Sequence, residues 1–306
     1  MIKNLKAGEK ITEKFIVNVM KIGSSSNGGV FARGEVKDNS GGLPFICFDA
    51  NEVEFLREAK TPMALLIKGV VDINKVAKDN SLQIIVKNFE LLPEDADLTD
   101  LLPVSDIDLE LYKTKLKVLM ASVKDIGISK LLNNILSGKR LEQFLTHPAG
   151  TSMHHGYIGG LLHHSVCVAE LALAMAEKIG DVNKDLVVTG ALLHDIGKLR
   201  EISGTVGYPY TDDGKMLGHI SMSAILVNNE SEKIPEITEE NKRNLVHIIL
   251  AHHGDREKGS PMVCVTKESF IVHYADEINA VMNQFEGAEL KPGWNYNRML
   301  KRNLYI

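Results

Sequence analysis

The spacing of apolar residues changes near residue 100 of this 306-residue chain, and this change constrains the fold more than any other feature. Before it, runs such as KFIVNVMKIG and LPFICFD are rich in β-branched and aromatic residues and are separated by the turn-forming segments SSSNGG and NSGG. MALLIKGVVDIN and LQIIVKNFELL continue this pattern, and NEVEFLREAK predicts one short helix. Five strands with glycine-rich turns favour a small closed barrel of the OB type over a fragment of a β-sandwich.

From Leu109 onward the apolar residues recur at helical spacing, as in LYKTKLKVLMASV, and helical patterns continue to about Asn283. The preceding segment LLPEDADLTDLLPVSDID is acidic, lacks periodicity and predicts a linker. The sequence therefore predicts a multi-domain α+β protein in which a barrel precedes an all-α helical bundle. Its predicted segments are a barrel at 1–92, a linker at 93–108, a helical connector at 109–150, a helical domain at 151–284 and a basic, aromatic tail at 285–306.

Composition excludes several classes of protein. The net charge of -5 gives no global basic field that would attract nucleic acid or membrane, although a locally basic groove could still bind nucleic acid. The three cysteines are far apart and odd in number, which argues against a disulfide framework or a thiolate zinc site. The N-terminus lacks the apolar run of a signal peptide, and no segment is long and apolar enough to span a bilayer. We therefore expect a cytoplasmic protein without a membrane partner.

The histidines are unevenly distributed, because all eleven lie at or after His147. The segment KDLVVTGALLHDIGKLR predicts one helix with His194 and Asp195 near its end and Gly197 as its C-terminal breaker. Burying an imidazole and a carboxylate is costly unless something pairs with them. Four other predicted helices carry similar side chains, namely the pair His163 and His164, then His219, the pair His252 and His253, and Asp276.

A single buried histidine is usually a core residue, but five segments with ligand-type residues in one ordered series indicate a metal site. Neutral imidazoles and carboxylates suit Mn, Fe, Ni, Co or Zn, and the Asp195 carboxylate could bridge two ions. Two-metal sites clamp phosphoryl oxygens and activate a water molecule for in-line attack. The series therefore predicts the chemistry of a divalent-metal phosphohydrolase.

At these positions the sequence resembles a known superfamily. LLHHS, LLHDIGK, GHI, AHHG and HYADEINA resemble the HD-domain metal-dependent phosphohydrolases. HHGYIGGLLHHSVCVAE, ALLHDIGKLREI, GKMLGHI, AHHGDREKGSP and ESFIVHYADEINAVM, behind an OB-like barrel, resemble the YhaM-type 3′-5′ exoribonucleases over nearly the whole chain.

The resemblance implies an HD domain at 151–284 and a set of metal ligands, with the choice within the 252/253 pair left open. The implied ligands are His164, His194, Asp195, His219, His252, His253 and Asp276. It implies two divalent ions, with Mn first and Co, Fe, Ni, Zn or Mg as alternatives. His163 stands where the family more often has glutamate, so we do not expect it to be a ligand.

Two further residues are candidates for contact with the substrate, and each could instead have a purely structural role. Lys198 corresponds to a lysine that contacts substrate phosphate in HD-type enzymes. It would share a helix face with His194 if that helix continues to residue 198. The alternative is that Lys198 is a solvated lysine at a helix C-terminus. His155, next to His154, is a candidate for assisting the leaving oxygen, with a structural loop role as the alternative.

The barrel offers candidates for substrate binding. Phe31 is the best candidate for base stacking, and Arg33 follows it on the same predicted strand. Alternation places Phe45 with Cys47 on one face and Phe48 on the other, and core packing is favoured for each phenylalanine. The tail, which interleaves aromatic and basic residues, could close over RNA, dock on a neighbouring subunit or pack on its own domain.

The sequence thus predicts a metal-dependent hydrolase, a 3′-5′ exonuclease that degrades single-stranded RNA to nucleoside 5′-monophosphates, with single-stranded DNA as a further substrate. One alternative is an HD-type phosphohydrolase or phosphodiesterase on small nucleotides, in which the barrel serves assembly into a homo-oligomer. The other is a non-catalytic nucleic-acid-binding factor. The complete ligand series argues against that last alternative, because a vestigial site would be under no constraint to retain its ligands.

Overall fold

The computed structural model describes the chain outside residues 25–27, 60, 75–80, 94–95, 97, 102–106, 151–155, 204–207, 286–291 and 298–299. The chain divides into two compact units. One comprises Met1–Ser105 with Thr205–Pro209, and the other comprises Asp106–Gly204 with Tyr210–Ile306. No helix in the described part of the chain has the length and apolar character needed to cross a membrane.

The N-terminal unit is a closed five-stranded barrel of the OB-like kind, as predicted. Its strands are β1 (Lys10–Ser24), β2 (Val30–Asp38), β3 (Gly41–Cys47), β4 (Met63–Ile73) and β5 (Leu82–Leu91). They follow the order β1-β2-β3-β5-β4, and β4 pairs with β1 to close the barrel. Helix α1 (Ala50–Glu58) connects β3 to β4, and the Asp49 side chain caps it by accepting hydrogen bonds from the backbone N–H groups of Asn51 and Glu52.

The barrel core follows the alternation of the strands. Phe45 and Cys47 point inward and are buried, as their shared face on β3 predicts. The expectation that Phe48 packs in the core is wrong, since its side chain is 58% exposed. The reason is that β3 ends at Cys47, so the alternation of the strand no longer governs the next residue.

Part of the predicted linker is ordered. Residues Thr99–Leu101 form a short 3-10 helix, and the Leu101 side chain is buried against Ile16 of β1. The acidic composition of this segment conceals that contact, because a single apolar side chain leaves no periodic signal. This end of the linker segment therefore packs on the barrel.

The C-terminal unit is helical, as predicted. Its helices are α2 (Leu109–Ser122), α3 (Ile126–Ile135), α4 (Gly138–Thr146), α5 (Gly160–Ile179), α6 (Lys184–Leu193), α7 (Lys198–Glu201), α8 (Asp212–Ser231), α9 (Glu239–Ala251) and α10 (Lys267–Asn283). Helices α5 and α6 are hydrophobic on most sides and form the centre of one continuous core. Helix α8 is kinked at Gly218, whose φ of 70° and ψ of 155° are not helical, so His219 begins its second part.

The C-terminal tail contains regular structure that the sequence pattern did not predict. Strands β6 (Trp294–Asn297) and β7 (Arg302–Tyr305) pair antiparallel as a small hairpin. Leu304 is its buried residue, while the Trp294 side chain is 75% exposed.

Candidate metal centre

His194 and Asp195 lie in a turn between two helices. The helix predicted to include them and to break at Gly197 ends earlier, because α6 ends at Leu193, and α7 begins directly after Gly197, at Lys198. A Cβ atom at Gly197 would lie 2.2 Å from the backbone oxygen of His219, so glycine allows the turn to approach α8. The helix-spacing argument for Lys198 therefore fails, yet its Nζ lies 2.7 Å from Asp195 Oδ2 through the geometry of the turn.

One group of predicted ligands surrounds Asp195 Oδ2. The His164 Nε2 atom, on α5, lies 3.5 Å from this oxygen, and His194 Nε2 lies at the same distance of 3.5 Å. Asp276, on α10, places its Oδ1 3.2 Å from His164 Nε2. Helices α5 and α10 and the turn thus bring two imidazoles and two carboxylates together.

A second group of predicted ligands lies on the other oxygen of the same carboxylate. His219 Nε2 is 3.3 Å from Asp195 Oδ1, and His252 Nε2 is 3.8 Å from it. His219, His252 and His253 each offer a nitrogen within 4.8 Å of the others. Both members of the 252/253 pair therefore belong to this group, and the Asp195 carboxylate lies between the two groups.

The backbone orients several of these imidazoles. His194 Nδ1 lies 2.7 Å from the carbonyl oxygen of Ala191, and His252 Nδ1 lies 2.7 Å from that of Ile249. An Nδ1–H that donates to a carbonyl leaves Nε2 unprotonated and directed at the centre, which is the usual arrangement of a metal-binding histidine. His253 is held in the same way, with Nδ1 3.1 Å from a backbone carbonyl oxygen.

Two side chains that orient ligands were missed in the sequence. Asn279 Oδ1 lies 2.8 Å from His164 Nδ1, and Glu201 Oε1 lies 2.9 Å from His219 Nδ1. Glu201 Oε1 also accepts a hydrogen bond from the backbone N–H of His219, at 3.0 Å. Their spacing is a signal that could have found them, because Asn279 is one helical turn after Asp276 and Glu201 is one turn after Lys198.

The carboxylates of the centre favour the charged forms of their basic neighbours, and these neighbours favour the ionised carboxylates. Burial alone would raise the pKa of Asp195, but Lys198 and His194 outweigh burial and hold that pKa well below its ordinary value. Burial likewise opposes the charged forms of Lys198 and His194, yet the Asp195 carboxylate raises the pKa of each. The pKa of Asp276 is lowered despite its burial, through the hydrogen bond with His164.

Burial and the neighbouring imidazoles lower the pKa of His252 well below its ordinary value. This histidine is therefore neutral, which is the form that binds a metal ion.

Three buried atoms of the centre have no hydrogen-bond partner among the residues that the structure describes: Asp195 Oδ1, His219 Nε2 and His252 Nε2. Leaving a buried acceptor unsatisfied costs about 1–3 kcal/mol per group, so something else is expected to bind them. All three are lone-pair donors that converge on one place. Their nitrogen and oxygen chemistry fits a divalent cation such as Mn, Fe, Co, Ni or Zn.

A cavity of about 280 Å³ opens onto the centre. Its wall includes His164, Asp195, His252 and Asp276, together with the two cationic side chains Lys198 and Lys258. The size is near the lower end of ligand sites, which begins at about 300 Å³. A small anionic group that enters this cavity would meet both the ligand groups and the two ammonium groups.

The remaining predicted site residues lie elsewhere. His154 and His155 are outside the described residues. Phe31, on β2 of the barrel unit, is half-buried, and its ring would lie 3.2 Å from a Cβ atom at Gly23. Arg33, two residues further on, is exposed. His163 is hydrogen-bonded to the Tyr157 hydroxyl at 2.5 Å, away from the ligand groups.

Family comparisons agree with this site. The HD domain family matches residues 161–281, and the HDOD domain family matches residues 110–204. The C-terminal unit therefore contains an HD domain.

Two solved structures are similar to part of the chain. One is the HD domain of the L. monocytogenes phosphodiesterase PgpH, at 23% identity over 51% of this chain and 77% of that chain, with a TM-score of 0.33. The other is the same domain in complex with cyclic-di-AMP, at 23% identity over the same shares and with a TM-score of 0.32.

Proposed function

We propose that this protein is a metal-dependent 3′-5′ exonuclease that hydrolyses single-stranded RNA to nucleoside 5′-monophosphates. The observation that carries the proposal is the position of the Asp195 carboxylate between two groups of imidazoles. Among the described residues, its Oδ1 atom and the Nε2 atoms of His219 and His252 are buried without a hydrogen-bond partner. The resemblance of its motifs to the YhaM-type exoribonucleases, and the OB-like barrel that precedes the HD domain, support RNA as the substrate.

The residues divide into two sets of ion ligands. His164, His194 and Asp276 would hold one ion, and His219, His252 and His253 would hold the other, with Asp195 shared between them. Divalent ions at such a centre activate water and neutralise charge that develops on a phosphoryl group.

Lys198 and Lys258 on the cavity wall would bind the phosphate oxygens, because a fixed ammonium stabilises a developing negative charge. Hydrolysis on the 3′-oxygen side would leave the phosphate on the released nucleotide. The small volume of the cavity suits one terminal nucleotide better than the middle of a strand.

The barrel would hold the rest of the strand. Barrels of this type bind single strands mainly on the face of the second and third strands, through stacking and basic side chains. Phe31 and Arg33 lie on β2, and Phe48 is exposed directly after β3. These three side chains are the proposed contacts in the N-terminal unit.

The test is digestion of a 5′-labelled RNA and a DNA of the same sequence, each with Mn, Mg, Co and Zn in turn. We expect a ladder that shortens from the 3′ end and nucleoside 5′-monophosphates as products. Asp195→Ala is expected to abolish hydrolysis and retain RNA binding, whereas Asp213→Asn, a matched change of an exposed carboxylate, retains activity. Undiminished digestion by Asp195→Ala in the presence of a chelator would refute the proposal.

The size of the cavity also favours a second candidate, a phosphodiesterase that acts on small nucleotides. Free nucleotides and a cyclic dinucleotide belong in the same assay for this reason. Turnover of these compounds with no shortening of either oligonucleotide would select this second function. RNA binding without turnover of any substrate would instead indicate a non-catalytic binding factor.

A further inference from the structure

The C-terminal hairpin presents aromatic rings to solvent on one of its faces. In its register Trp294 pairs with Tyr305 and Tyr296 pairs with Asn303, so these four side chains share a face. Trp294, Tyr296 and Tyr305 are 75%, 64% and 68% exposed, and the Trp294 and Tyr305 rings meet edge to face at 5.3 Å between centroids. The opposite face carries Leu304, which is buried. The hairpin therefore packs on its unit by one face and leaves an aromatic face uncovered.

Positive charge accompanies this aromatic face. Residues 291–306 contain four lysines and arginines and no aspartate or glutamate, in a chain whose net charge is -5. Of these cations, Lys301 lies in the turn of the hairpin, whereas Arg302 begins β7 on the face opposite the rings, and both are exposed. Planar rings on a segment with an excess of basic residues complement a ligand that combines flat bases with phosphates.

The hairpin is attached to the helix that carries part of the metal centre. Asn297 donates a hydrogen bond of 3.0 Å to Gln284 Oε1, directly after the end of α10. Asp276 precedes Gln284 by eight residues, which corresponds to about 12 Å along a helix. The hairpin is thus attached to α10 about 12 Å along the helix from a residue of the cavity wall.

We propose that the face formed by Trp294, Tyr296, Asn303 and Tyr305 binds single-stranded nucleic acid by stacking of unpaired bases on its rings. The inference deepens the proposed function, on which it rests for the identity of the substrate, and it assigns a second binding surface to the unit that contains the metal centre. A second copy of the chain fits less well. In a two-fold contact the hairpin would face its own copy, which would bring two segments with the same excess of positive charge together.

The chain provides its own reporter for the test, because Trp294 is its only tryptophan. The 306-residue chain, kept in chelator to prevent hydrolysis, would be titrated with a single-stranded oligonucleotide and with the corresponding duplex. We expect saturable quenching of tryptophan fluorescence by the single strand and much weaker quenching by the duplex, whose bases are already stacked on one another.

Variants then show which side chains contribute to binding. The affinity of each variant is measured by the fluorescence anisotropy of a labelled oligonucleotide. Trp294→Ala and Tyr305→Ala are each expected to weaken binding roughly 5- to 30-fold, as loss of one stacked base would. Trp294→Phe is expected to recover part of the loss. Phe270→Ala, which removes another exposed ring, and Lys139→Gln, which removes an exposed lysine, are matched controls expected to bind as the wild type does.

Each outcome decides the question. Unquenched fluorescence when anisotropy shows the strand to be bound, or unchanged affinity in both alanine variants, would overturn the inference. Unchanged affinity together with a smaller assembly in sedimentation would show that the face binds a second copy instead. Digestion assays test the proposed function separately from binding at the hairpin, since binding in chelator does not require catalysis. Quenching and variant effects without any strand degradation would retain the surface and refute the nuclease.

Discussion

The two units of this protein differ in what they bury. Every buried side chain described in the barrel is apolar or a cysteine, whereas all buried polar or charged side chains in the described residues lie between His147 and His273 of the helical unit. Burying polar groups opposes folding unless each finds a partner. The barrel therefore has a core built for stability, while the helical unit maintains a costly polar centre. The contrast identifies the helical unit as the one that contains the candidate metal centre.

The largest predicted effect follows from the apolar core of the barrel. Phe45→Ala removes a buried ring that packs edge to face on Phe89, and we expect it to destabilise the barrel by about 3–5 kcal/mol. The matched variant Phe48→Ala removes an exposed ring three residues later and is expected to change stability by less than about 0.5 kcal/mol. Hydrogen exchange of barrel peptides measures both changes.

Mn²⁺ affinity, measured by titration calorimetry, is the complementary readout. Phe45→Ala is expected to leave it unchanged, because the ligands all lie in the helical unit. Loss of Mn²⁺ binding in this variant would show that the metal centre depends on the barrel core, and the distinction between the two units would fail.

How much could be predicted from the sequence also differs between the units. The five strands were predictable because alternation and glycine-rich turns are local signals, and the alternation correctly places Phe45 and Cys47 inside. Phe48 was misplaced because the end of a strand depends on its partners. Leu101 gave no signal, since its burial against Ile16 is a contact between distant segments.

In the helical unit the residue types of the centre could be recognised, but their geometry could not. His194 and Asp195 lie in a turn because Gly197 must approach α8, which is a tertiary requirement invisible in the helical periodicity. The roles of Asn279 and Glu201 depend on contacts across helices. The sequence therefore indicates which side chains could bind a metal, and only the fold shows which side chains orient them.

The next largest effect concerns those orienting side chains. Asn279→Ala and Glu201→Gln are each expected to lower Mn²⁺ affinity about 10- to 100-fold, because the ligand imidazole would lose its fixed orientation. Asn133→Ala is the matched control, since the Asn133 amide donates a hydrogen bond to the Ser129 carbonyl oxygen of its own helix, α3. Calorimetric titration gives the three affinities. Wild-type affinity in both orienting variants would mean that the backbone alone positions the imidazoles.

The smallest effect is a pH dependence that does not involve the metal ligands directly. Burial, with smaller contributions from His164 and Lys115, lowers the pKa of His163 from 6.5 to about 4. Between these values the unfolded chain binds a proton that the native state does not, so the free energy of unfolding falls as pH decreases from 6.5 to about 4. After allowance for partial exposure, the expected loss is about 1–2 kcal/mol.

His163→Gln has no such proton to bind and should lack this part of the acid destabilisation. Urea unfolding of both proteins in chelator, at pH 7 and at pH 4, measures the difference. Parallel stability profiles for the two proteins would show that His163 does not contribute to it.

The central claim is that one carboxylate, that of Asp195, is shared between two bound cations. Anomalous diffraction from crystals grown with Mn²⁺, measured at the manganese edge, tests it most directly. The account predicts two anomalous peaks, one on the side of His164, His194 and Asp276 and one on the side of His219, His252 and His253, with Asp195 between them. A map without a peak beside Asp195, or with manganese on only one of its oxygens, would contradict it.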